Sequence, residues 1–224
     1  MITSFHKELE CRAGRKLQLK INDNRSTMLS VRWEPDYTKV SLHRMFLEAP
    51  RNVMESLVCY IRRDHVELAP NIKWYIDEKL KCLDYSHQID PQDLCTRGIV
   101  YQLQPMYDAL NREYFEGRLN LWITWFGRRG HRSRSRLTLG LYHDALKLIK
   151  IHRLLDSAIF PQYVVECILF HEMVHHVCPA YHDTRGVHHI HSKEFRAEEA
   201  RYRYHHLAER WLKEHPGHLF KNVF

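Results

Sequence analysis

The chain has 224 residues, 44% hydrophobic and 12% aromatic, which is ample material for a packed core and excludes general disorder. With 8 Gly and 8 Pro it is neither collagen-like nor low in complexity. Lys and Arg number 34 against 27 Asp and Glu, a formal charge of +7 that suits a polyanionic partner without requiring one.

In the N-terminal part, residues 17–21, 28–33 and 39–42 cluster or alternate apolar side chains and are expected to be short strands. Asn22-Asp23-Asn24 and Glu34-Pro35-Asp36 supply the turn chemistry between them. Val53, Leu57, Val58 and Ile61 fall on one face of a helix predicted over 50–63, with proline at its start, and another helix follows over 70–83. The polar segment 85–93 is the boundary candidate. It separates an N-terminal β/α region, 1–90, of unknown role from a second domain, 91–224.

Asp90-Pro91 reads as the start of a long helix, with Val100, Leu103, Met106, Tyr107, Leu110 and Tyr114 on one face and Gly117 as its stop. Strands are expected over 119–126, 136–142 and 146–152, rich in aromatic and β-prone residues. Between the first two lie Arg128, Arg129, Arg132, Arg134 and Arg136. This run reads either as a solvated hairpin tip or as a clamp for phosphate or acidic groups, which makes it the candidate DNA contact. A helix over 161–177 is apolar nearly all round and is therefore expected to be buried. Pro179 ends it, a loop spans 180–189, and a last helix covers 192–212.

Six cysteines spread along the chain without CxxC spacing, which fits reduced thiols rather than a disulfide framework. No stretch approaches the roughly 18 apolar residues of a membrane span, and no signal-like segment opens the chain. No membrane partner is expected, and the expected location is the cytoplasm.

Histidine is the compositional outlier, at 18 residues, most of them from His143 onward. The informative stretch is His171-Glu172-Met173-Val174-His175, on the helix expected to be buried. Histidines at i and i+4 share a helical face, so both imidazoles can reach one ion. Glu172 beside the first can hold and deprotonate a water whose pKa a zinc ion would lower toward about 7. Burying two histidines and a glutamate is costly unless something satisfies them. A helix whose polar stripe is merely exposed or hydrogen-bonded is the competing reading. A catalytic site needs a third protein ligand. His182, His188, His189, His191, Glu194, Glu198 and Glu199 are the candidates, and spacing alone does not separate them.

The HExxH run, followed after a loop by His191-Ser192-Lys193-Glu194-Phe195, resembles the SprT-like (Spartan-type) metallopeptidase family. Leu110, Asn111, Tyr114, Phe115, Gly117 and Leu119, with Trp125, Gly140 and 149–155, are similar in outline to that family's first helix and strands. The resemblance covers roughly residues 91–212. It implies an α+β fold with a minigluzincin-like zincin core, a small mixed sheet packed on the HExxH helix. It also implies zinc held by His171, His175 and His191, Glu172 as general base, and Phe195 packing the last helix on the active-site helix. The implied activity is peptide-bond hydrolysis, with DNA-associated proteins among the targets. Ser192 departs from the family's usual glycine and resembles YgjP-type metal hydrolases, and no C-terminal cysteine quartet is present. Two other readings therefore stay open: a metal-dependent hydrolase of a nucleotide or other phosphorylated small molecule, and a non-enzymatic zinc-binding protein. Tyr181 and His182 are further candidates for stabilising an oxyanion at the cleft.

Overall fold

A computed structural model describes residues 2–24, 27–65, 67–81, 83–128, 137–183 and 185–219. The protein is α+β. It divides into two compact units, Met1–Leu83 with Tyr181–His189, and Asp84–Ala180 with Ile190–Phe224. Among the described residues, no helix is long and apolar enough to cross a membrane.

In the first unit, β1 (Leu17–Asn22), β2 (Leu29–Trp33) and β3 (Thr38–His43) form a sheet in the order β1-β3-β2. Central β3 is parallel to β1 and antiparallel to β2. Helices α1 (Ile2–Ala13), α2 (Arg51–Arg62) and α3 (Pro70–Lys81) belong with it, and Leu9, Val40, Leu42, Phe46, Leu57 and Ile61 lie in the shared core. The three strands and the last two helices lie where the periodicity puts them. Helix α1 was not anticipated, because charged residues separate its few apolar positions and only Leu9 and Ala13 are buried.

This unit also contains a hairpin where a loop was expected, formed by β7 (Tyr181–His182) and β8 (His188–His189). Asp77 Oδ2 on α3 accepts the His182 backbone N–H and its Nδ1–H, both at 2.7 Å. Lys73 Nζ donates to the Gly186 carbonyl at 3.2 Å. Contacts between residues so far apart in the chain leave no local sequence signature.

The second unit repeats the strand arrangement with β4 (Trp122–Phe126), β5 (Gly140–His143) and β6 (Leu148–His152), in the order β4-β6-β5. Central β6 is parallel to β4 and antiparallel to β5. Helix α5 (Gln162–Val177) packs on β5 and β6, and on α4 (Leu103–Phe115), α6 (Lys193–Glu199) and α7 (His205–Glu214). Val164, Val165, Leu169, Phe170, Met173 and Val174 are fully buried on α5. Each such side chain contributes roughly 1.5–3 kcal/mol of burial, so α5 is the central element of this unit's core.

Two helix expectations here need correction. Asp90-Pro91 opens only a 3-10 turn, Pro91–Asp93, and α4 begins at Leu103. The intervening segment is committed elsewhere. Cys95 exchanges hydrogen bonds with Thr124 and Trp125 on β4. The buried Asp156 carboxylate accepts the backbone N–H groups of Ile99 (2.8 Å), Val100 (2.8 Å) and Tyr101 (3.1 Å). Gly98 is required there, because a Cβ would overlap the Asp156 carboxylate and the Tyr101 carbonyl. The last helix is split into α6 and α7, since Tyr202 in the intervening turn is buried. Its ring stacks on Phe170 at 5.7 Å and its hydroxyl donates to Glu166 Oε2 at 2.8 Å.

Candidate active site

Helix α5 carries His171, Glu172 and His175 in its C-terminal half, and His191 sits just before α6. All four belong to the second unit. The donor nitrogens of His171, His175 and His191 lie within 4.8 Å of one another. His171 Nε2 and His175 Nε2 are 3.2 Å apart. Two nitrogens on one tetrahedral zinc, each at about 2.0–2.1 Å, would be separated by about 3.3 Å, so the pair stands at the spacing that chemistry needs.

The tautomers fit as well. Glu199 Oε1 on α6 accepts His171 Nδ1–H at 2.6 Å, so Nε2, which faces His175, is the ring nitrogen placed to act as a ligand. Burial, then the neighbouring His171 and His191, push His175 down to about 4, so it is neutral at pH 7. His191 is lowered by burial and by His171. Three imidazoles converging on one point form a donor set that could hold a divalent transition metal. Burial raises the Glu199 carboxyl, but the hydrogen bond from His171 and the nearby histidines outweigh it, leaving it below the usual range.

Phe195 supports this arrangement from α6. It is fully buried, and its ring centroid lies 5.1, 4.6 and 4.7 Å from those of His171, His175 and His191. Ser192 caps α6, its hydroxyl accepting the Phe195 N–H at 3.2 Å. Ser192 thus has a local structural job.

Glu172 is 5% exposed and lies against β5. Burial pushes its carboxyl up to about 7, opposed by His171 and by the backbone N–H of Tyr142. Gly140 makes this position accessible, since a Cβ there would overlap Glu172 Oε1 and stand 2.8 Å from its Cγ. Gly140→Ala is expected to displace the carboxylate at a cost of about 1–3 kcal/mol. Any turnover should fall about tenfold or more while metal content, measured by elemental analysis, is unchanged. Equal turnover in the variant would show that Glu172 has room to spare.

His176 hydrogen-bonds Tyr142 Oη through Nδ1 at 2.7 Å, and that hydroxyl donates to Asp144 at 3.1 Å, so His176 anchors α5 to β5 rather than joining the cluster. His182, His188 and His189 lie in the first unit. There His182 stacks on His188 at 4.4 Å, Tyr181 stacks on His189, and His189 Nε2 pairs with Asp183 at 3.1 Å. Glu198 pairs with Arg201 at 2.5 Å, and Glu194 is exposed. Arg128 is exposed, whereas Arg129, Arg132, Arg134 and Arg136 lie outside the described residues. Glu199 lies outside the group of three convergent donors, and its hold on His171, like the roles of Tyr142 and Gly140, appears only in the tertiary fold. No protein-family model matches the chain, and no curated protein or solved structure matches it.

Proposed function

We propose that the chain is a zinc-dependent metallopeptidase of the SprT-like type, with a zincin core in which His171, His175 and His191 hold the metal. The convergence of three imidazoles beside a buried carboxylate carries this reading. When bound, zinc would acidify water and polarise the scissile carbonyl. Glu172 then receives the proton from water and passes it to the leaving amine. The Tyr142 N–H and the glycine at 140 keep that carboxylate in place. Glu199 holds the His171 ring in one tautomer, and Phe195 keeps bulk water from one side of the imidazoles. Strand β5 lies at the edge of its sheet, so an extended peptide can add alongside it through backbone hydrogen bonds. The +7 charge supports DNA-associated proteins as targets.

The zinc-loaded full chain is expected to cleave unfolded casein. A chelator should abolish the cleavage and added zinc restore it, with fragments followed by mass spectrometry. Cleavage that ignores the chelator, or no cleavage by protein shown to hold zinc, would remove the peptidase reading. Chelator-sensitive hydrolysis of a nucleotide in place of casein would transfer the same site to the phosphorylated-substrate reading.

A further inference from the structure

We infer that α7 carries a second transition-metal site, formed by His205, His206 and Glu209, which is separate from the His171, His175 and His191 cluster. Donor atoms of the three residues lie within 4.8 Å of one another. His205 and Glu209 stand at i and i+4, one helical turn apart on one face, and His206 adds a second imidazole from the adjacent position. The His205 ring is steadied from below, with Nδ1 4.0 Å from Sγ of Cys167 on α5. Burial, then the Glu199 and Glu209 carboxylates, push that thiol up to about 12, so Cys167 props the ring as a thiol.

Two features oppose a cation here, and both are small. Lys213 Nζ stands 3.5 Å from Glu209 Oε2, but both side chains are well exposed and such pairs are worth about 0–1 kcal/mol. The site also lies on the first turns of α7, where the helix dipole disfavours positive charge by about 0.3–1 kcal/mol. Two imidazoles and a carboxylate with positions open to water suit Zn2+, Ni2+ or Cu2+ rather than Mg2+ or Ca2+, which favour all-oxygen shells.

This site does not rest on the peptidase reading. The test is equilibrium dialysis of metal-stripped full chain against zinc, with bound zinc counted by elemental analysis. The variant combining His206→Ala with Glu209→Gln changes an exposed histidine and a glutamate whose side chain is 46% exposed, and should keep the fold, as circular dichroism would verify. It is expected to bind one zinc fewer than the wild type, the affinity at that site falling at least about 100-fold. The His191→Ala variant should retain this equivalent. If the wild type binds one zinc, lost in the α7 variant and kept in His191→Ala, the α7 site stands and the catalytic centre falls. Equal zinc content in the wild type and the α7 variant overturns the α7 site.

Discussion

Glu172→Gln is expected to leave zinc content unchanged and to lower casein turnover by about 10²–10⁴-fold, the range a positioned general base supplies. Glutamine matches glutamate in shape, so it fits beside Gly140, and its amide oxygen can still accept the Tyr142 N–H. What it cannot do is receive a proton. Parallel measurements of bound zinc and initial rate decide between roles. If zinc is lost, Glu172 is a ligand. If the rate stays within tenfold of the wild type, proton transfer runs through another group.

Asp156→Ala is expected to destabilise the second unit by about 3–5 kcal/mol, without touching the candidate site. The carboxylate is 1% exposed and accepts three backbone N–H groups from the 99–101 turn. Alanine would strand those donors beside a cavity, each costing about 1–3 kcal/mol where water cannot reach it. For a chain of this size that is a fall in melting temperature of roughly 6–20 °C. Asp156→Asn, which keeps one acceptor oxygen, should lie between. A melting temperature within about 2 °C of the wild type for the alanine variant would mean that water reaches the turn.

The candidate site was legible in part for a simple reason. Positions i and i+4 of a helix share a face whatever surrounds it, so His171 and His175 announce their proximity locally. The buried character of α5 was equally plain, since Val164, Val165, Ile168, Leu169 and Val174 nearly encircle it. His191 is different. Spacing left seven candidates open, and only the likeness of His191-Ser192-Lys193-Glu194-Phe195 to a family pattern singled it out.

Local pattern misled where side chains are committed to distant partners. Asp90-Pro91 has the chemistry of a helix start, yet residues 94–102 bond to β4 and to Asp156 and delay α4 to Leu103. The 192–212 segment reads as one last helix, yet it is two, with buried Tyr202 in the turn between them. The hairpin over 181–189 looked like a loop because its anchors, Asp77 and Lys73, lie more than 100 residues away.

The chain by itself therefore determined the elements whose periodicity repeats within a few residues: the strands of both sheets, helices α2, α3 and α5, and the paired histidines on α5. Tertiary structure alone decided that Glu199 orients His171, that Tyr142 and Gly140 seat Glu172, and that Phe195 lies beneath all three imidazoles. The division follows from the range of the forces. Helical and strand periodicity is set by backbone geometry over one or two turns, whereas hydrogen bonds and close packing act between whichever groups the fold brings within a few ångströms.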